Sequence, residues 1–182
     1  LHDALPICSF SFFGCVNLTS VSIPDSVTNI GEGAFCRCKS LTEIALPKSL
    51  RNLGVGDEPP FVLWGAFQGC SSLANISFPE TTAMIGNYAF LDCASLESVT
   101  IPDNVSAIGE GAFARADNLC ALEIPSTVSE LGASFLGFPE ELVANSVQIG
   151  VADGNENLLI DDAHFVYRKE ANGLVLTDAS CF

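Results

Sequence analysis

Residues 89–111, AFLDCASLESVTIPDNVSAIGEG, are one period of a repeat, and Ala112-Phe113 begins the next. The phenylalanine is a marker that recurs at Phe12, Phe35, Phe67, Phe90, Phe113 and Phe135, with spacings of 23, 32, 23, 23 and 22. An apolar-proline pair is an independent marker: Ile23-Pro24, Leu46-Pro47, Phe78-Pro79, Ile101-Pro102 and Ile124-Pro125, spaced 23, 32, 23 and 23. Both give a period of 23, interrupted once by 32 − 23 = 9 inserted residues. Self-similarity at a fixed period of this length means a stacked array in which each unit buries its apolar face against its neighbours.

Each unit carries the same frame. A cysteine stands three residues after the phenylalanine (Cys15, Cys38, Cys70, Cys93), and a leucine follows (Leu18, Leu41, Leu73, Leu96, Leu119). A short run such as Leu96-Glu97-Ser98-Val99-Thr100-Ile101 then alternates apolar and polar residues, a strand signal. Proline ends that strand because it has no N–H for the ladder. A looser return follows, with Val105 and Ile108 apolar and Gly109 as punctuation. Strands are expected at residues 18–23, 41–46, 73–78, 96–101 and 119–124.

The frame C-x-x-L-x-x-I-x-L/I-P-x-x-V-x-x-I-G-x-x-A-F resembles the 23-residue class of bacterial leucine-rich repeats, the BspA-like surface proteins, over residues 11–150. The resemblance implies an α/β-type leucine-rich repeat solenoid, with one short parallel strand per unit on the concave side and irregular or short-helical returns. It also implies a secreted or cell-surface protein with a role in adhesion. The array itself follows from the periodicity; location and adhesion rest on the family alone.

The composition fits such a scaffold. With 48% hydrophobic and 16% charged residues the chain can bury a large core. Its formal net charge is −15, and so acidic a surface repels nucleic acid and anionic membranes. No apolar run approaches the roughly 20 residues of a membrane-spanning helix. Residues 1–7, Leu-His-Asp-Ala-Leu-Pro-Ile, match the in-frame translation of a sequencing-library adaptor, CTA CAC GAC GCT CTT CCG ATC, and have no place in the repeat frame. They are set aside as a processing scar, which makes the chain a fragment and His164 its one native histidine.

The solenoid is expected over residues 8–150, with the insertion at 55–63. That insertion brings Phe61 and Pro59-Pro60, with the lone Trp64 just after it. Phe61 and Trp64 either fold back to plug the convex surface or form an exposed loop for a partner, since aromatic side chains are favoured interface anchors. Beyond Phe135 the frame decays, and Val147 and Ile149 supply a last solenoid strand. Residues 153–162 read as an acidic loop. Residues 163–167 and 174–177 flank Asn172-Gly173, a hairpin turn pair, so 151–182 are expected to form a β-hairpin cap over the last rung.

Residue types that carry chemistry are present without the arrangements that chemistry needs. The four in-frame cysteines should form an inward ladder. Strands about 4.8 Å apart fall within disulfide reach of roughly 4.4–6.8 Å. Yet side chains in register point the same way, and Ala116 takes the position in the fifth unit, so buried free thiols are expected. Cys36-Arg-Cys38 lacks the further ligands zinc needs, and Cys36, at a position shared with Phe13, Gln68, Leu91 and Ala114, is expected to be partly exposed. Nothing near His164 has the form of a nucleophile at a sharp turn. Asp153-Gly-Asn-Glu-Asn157 lacks the alternating ligands and distant glutamate of a calcium loop. No catalytic residue, metal or cofactor is assigned, and an enzyme is not expected.

What remains is the strand face. The outward positions are Ser20, Ser22, Glu43, Ala45, Asn75, Ser77, Ser98, Thr100, Ala121 and Glu123, which are small and polar. This face is the expected ligand surface, for protein or glycan, with Phe61 and Trp64 as a second candidate contact. Five rungs at about 4.8 Å and strands of about 13 Å give a projected face of about 325 Å², against roughly 800 Å² per partner in a standard interface. Binding through it would be weak and multivalent unless further surface contributes. The expected function is therefore a non-catalytic interaction module. The alternative is a docking array of a larger enzyme whose catalytic domain lies outside these residues.

Overall fold

A computed structural model gives the architecture and describes residues 6–55, 64–132, 134–136, 148–160, 166–170 and 173–178. In chain order its strands are β1 Asn29–Ile30, β2 Asn52–Leu53, β3 Asn75–Ser77, β4 Met84–Ile85, β5 Ser98–Thr100 and β6 Ala107–Ile108. They continue as β7 Ala121–Ile124, β8 Glu130–Leu131, β9 Gln148–Val151, β10 Leu158–Ile160, β11 Val166–Glu170 and β12 Gly173–Asp178. Up to β9 every pairing is parallel, and no helix occurs among the described residues. The chain is a β-solenoid whose turns are joined by tight turns, so the short-helical alternative for the returns is replaced by non-helical turns.

The expected face forms in part. β3 and β5 pair in the register Asn75↔Ser98, Ile76↔Val99 and Ser77↔Thr100, and β7 pairs with β9 from Ala121↔Gln148 to Ile124↔Val151. Along β3, β5 and β7 each apolar residue is buried between exposed polar neighbours, as the alternation requires. The first two expected strands reduce to a single parallel bridge, Ser22↔Ala45.

The return is not loose, which corrects the sequence reading. β1, β2, β4, β6 and β8 form a five-stranded parallel sheet. Its rungs are joined by N–H donors of Gly54, Gly86, Gly109 and Gly132 to the carbonyls of Ile30, Leu53, Ile85 and Ile108, at 2.7–2.8 Å. The glycines are required by closeness: a Cβ on Gly109 would lie 2.4 Å from the Asn87 backbone nitrogen. The same column reaches further back than residue 8. Ile7 bridges Ile30 in parallel, and Gly31 N–H donates to the Ile7 carbonyl at 2.8 Å. Ile7 therefore stands in the repeat frame, 23 residues before Ile30, contrary to the expectation for residues 1–7; residues 1–5 lie outside the described residues.

The core is a set of columns. Phe35, Phe67, Phe90, Phe113 and Phe135 are fully buried or nearly so. From Phe12 to Phe113 neighbouring rings stack at 4.9–5.5 Å and within 10° of parallel. Four of these phenylalanines also donate their N–H to the next turn: Phe12 to Ala34, Phe35 to Ala66, Phe67 to Ala89 and Phe90 to Ala112, at 2.7–2.8 Å. Burying each ring contributes on the order of 2–3 kcal/mol.

After β9 the chain leaves the frame. Asn155 is buried and its carboxamide is spent on backbone: Nδ2 donates to the carbonyls of Pro125 (3.0 Å) and Val128 (3.1 Å), and Oδ1 accepts the N–H groups of Asn157 (2.9 Å) and Leu158 (2.8 Å). Leu158, buried beside it, joins the core cluster. β10, β11 and β12 then form a three-stranded antiparallel sheet. β10 falls inside the stretch read as an acidic loop, and the pairing has three strands where two were expected. His164 and Asn172 lie outside the described residues.

Candidate functional site

All ten residues expected on the strand face are exposed. Register sets their neighbours, and the Ser98 hydroxyl donates to Asn75 Oδ1 across β3 and β5 at 2.8 Å. The face is not one continuous sheet. β3 pairs with β5 and β7 pairs with β9, but β5 and β7 share no ladder. Beside that split is a groove of about 400 Å³, lined by Val99, Thr100, Ile101, Asp103, Ala121, Leu122, Glu123, Pro125 and Ala152. Thr100, Ala121 and Glu123 belong to the expected set, whereas Asp103 and Ala152 do not. They lie just past Pro102 and just past β9, outside the alternating runs from which the set was drawn.

Of the two aromatic residues in the second candidate contact, Phe61 lies outside the described residues and Trp64 is half-buried. The Arg37 guanidinium sits 5.0 Å from the Trp64 ring centre and 5.8 Å from that of Phe13. The Phe13 and Trp64 rings meet edge to face at 5.4 Å. Such contacts are each worth about 0.5–1.5 kcal/mol, so this indole is held in a local cluster at the side of the stack.

The thiol ladder is present over three rungs. Cys38, Cys70 and Cys93 donate Sγ–H to the carbonyls of Phe12, Phe35 and Phe67, each at 3.1 Å. Burial pushes the Cys38 thiol up to about 11 and that of Cys93 up to about 12, and raises Cys70 in the same direction. The seven described cysteines are all free. Two expectations fail. Cys15 is exposed, because no described turn covers that side of its rung. Cys36 is fully buried, and burial pushes its thiol up to about 11. At that position the small residues Cys36 and Ala114 are enclosed, whereas Phe13, Gln68 and Leu91 reach solvent. No metal-ligating cluster of three or more occurs among the described residues, and no helix there is long and apolar enough to cross a membrane.

Comparison with known proteins places this geometry. A leucine-rich cell surface protein from Faecalibacterium prausnitzii A2-165 superimposes with a TM-score of 0.59 at 29% identity, over 87% of this chain and 45% of that one. A leucine-rich repeat protein from Bacteroides ovatus ATCC 8483 matches with a TM-score of 0.59 at 27% identity, over 75% of this chain and 35% of that one. The pneumococcal vaccine antigen PcpA shares the fold, with a TM-score of 0.64 at 24% identity over 83% of this chain and 34% of that one. The chain thus spans less than half the length of each. No curated protein sequence matches. The BspA type leucine rich repeat region matches in six copies across residues 6–56 and 64–149, which is most of the chain. With the frame, the parallel stacking and that match in agreement, the chain belongs to the BspA-type leucine-rich repeat family.

Proposed function

We propose that this solenoid is a non-catalytic interaction module of a bacterial cell-surface or secreted protein, and that its strand face is the docking surface for a protein or glycan in adhesion. One observation carries the reading: ten outward positions on successive rungs are exposed and polar or small, and packing does not use them. The inward residues between them, Ile76, Val99 and Leu122, already satisfy the fold. The surface character of the Faecalibacterium prausnitzii relative supports the location. The sheet β10–β12 acts as the cap, with Asn155 and Leu158 closing the last rung. The Trp64–Arg37–Phe13 cluster adds a second contact at the side, which suits a face of only about 325 Å².

The test is binding of the chain to arrays of extracellular-matrix proteins and of glycans, repeated with Ser77→Arg/Thr100→Arg. Met84→Arg, at an exposed position on the opposite sheet, is the control. The reading expects binding to fall about tenfold or more in the face variant and to persist in the control. Binding that survives the face variant and is lost in the control would overturn it.

A further inference from the structure

The groove beside the split between β5 and β7 combines two kinds of surface. Val99 and Leu122 are buried beneath it and give an apolar floor; Thr100, Asp103 and Glu123 are exposed around it and give a hydroxyl and two carboxylates. Its volume of about 400 Å³ falls in the roughly 300–1,000 Å³ range of pockets that hold a side chain or small ligand. No Lys or Arg lines it, so the carboxylates face the groove without a cation among its lining residues.

The array itself shows what seats on such a carboxylate. Three rungs before Asp103 the equivalent column holds Asp25, and the rung after that holds Lys48. The Lys48 ammonium lies 3.3 Å from Asp25 Oδ2, and the Lys48 N–H donates to Asp25 Oδ1 at 3.1 Å. Those contacts, the backbone hydrogen bond foremost, hold Asp25 below the usual carboxylate range. Asp103 occupies Asp25's place in its own rung, but the next rung offers Ser126 where Lys48 would stand. The counter-ion supplied in cis at Asp25 is therefore missing at Asp103, at the wall of a cavity that can admit one.

We infer that this groove seats a lysine side chain of a partner protein, with its aliphatic stem on Val99 and Leu122 and its ammonium between Asp103 and Glu123. The inference rests on the strand face being a docking surface and specifies the partner as a protein. A lysine matches both halves of the site, since its stem covers apolar surface while its head stays at the charged edge. A sugar ring would find no aromatic side chain among the lining residues to stack on. An anionic ligand would meet two carboxylates on a chain of net charge −15. The carboxylates are exposed, so one lysine contributes little alone and is screened by salt. A tight complex needs it repeated or joined by other contacts.

The test is amide NMR of the isotope-labelled chain titrated with an acetylated peptide of Gly and Ser around one central lysine. The comparison peptide carries norleucine there, which keeps the stem and removes the charge. The lysine peptide is expected to shift the amides of Thr100, Ala121, Glu123 and Ala152 saturably, about two- to fivefold more tightly than the norleucine peptide, and to weaken in about 0.5 M salt. Asp103→Asn/Glu123→Gln should lower it to the level of the norleucine peptide, with the remaining amide spectrum unmoved as the check on folding. Equal response to the norleucine peptide, or an undiminished response in the double variant, overturns the inference. So does a linear oligosaccharide that shifts these amides when the lysine peptide does not. Lysine-peptide shifts confined to Ser20–Ser77 would overturn the groove but leave the docking face standing. Loss of the docking face is read separately, from the array binding of Ser77→Arg/Thr100→Arg.

Discussion

A single hydroxyl and a ladder of thiols show how tightly each residue is held to its column. Thr82 is fully buried, and its Oγ1 has no hydrogen-bond partner. The equivalent residues of the other rungs are Val27, Leu50, Val105 and Val128, all buried. A buried hydroxyl without a partner costs about 1–3 kcal/mol, so Thr82→Val, nearly the same shape, should stabilise the chain by about 1–2 kcal/mol in urea unfolding. A loss of stability would mean that the hydroxyl is satisfied in solution. The thiols respond to pH. In the folded chain burial holds Cys38 near 11 and Cys93 near 12, above the ordinary value of 9.0. The folded state then keeps its protons where the unfolded chain releases them, so this stability is complete below pH 9.0 and falls as pH rises through the folded values. Urea midpoints should be level from neutral pH up to that point and decline above it. Cys93→Ala installs the residue that Ala116 already supplies one rung later. It should cost about 1 kcal/mol at neutral pH and shrink the alkaline decline, and a decline of unchanged size would assign it elsewhere.

At the scale of elements, the clearest contrast is between the two parallel stacks. The runs that became β3, β5 and β7 are long enough to show alternation, so Ile76, Val99 and Leu122 could be placed inward and Asn75, Ser98 and Ala121 outward from sequence alone. The return strands have two residues each, such as Ala107–Ile108, and two residues cannot display a period of two. Their sheet is visible only as Ile or Leu recurring 23 apart, or 32 across the insertion, from Ile7 and Ile30 onward, and that recurrence was the available signal. The groove was illegible for a different reason: it depends on a ladder that stops between β5 and β7, which no local residue announces. Asn155 was hidden because asparagine in an acidic stretch reads as solvent-facing, whereas here it ties the 152–158 segment to the turn after Pro125. Asn155→Ala removes those donors and leaves the Pro125 and Val128 carbonyls without them. It should cost about 2–4 kcal/mol and speed hydrogen exchange at residues 148–160 ahead of the inner rungs. Uniform acceleration along the whole chain would show that this segment is not a separable clasp.

For the whole molecule, stability is a property of contacts between neighbouring rungs, since each turn touches the turn before and the turn after. The phenylalanine column makes this measurable. Phe67 stacks on Phe35 at 5.2 Å and on Phe90 at 5.5 Å, whereas Phe12 has one described ring neighbour in the column, Phe35, and is only half-buried. Phe67→Ala removes two stacking contacts and opens a cavity between the rungs that flank the insertion, at a cost of about 3–5 kcal/mol. Phe12→Ala removes one contact at a surface that water already reaches, and should cost about 1–2 kcal/mol. The shapes of the transitions should differ as well. A weak central rung uncouples the two halves of a linear array, so Phe67→Ala should broaden urea unfolding into two steps or lower its slope; Phe12→Ala should shift the midpoint and keep the slope, because the rest of the stack still unfolds together. If both variants lose the same stability with the same slope, the chain behaves as one cooperative core with no nearest-neighbour order, and the columns describe its geometry but not its energetics.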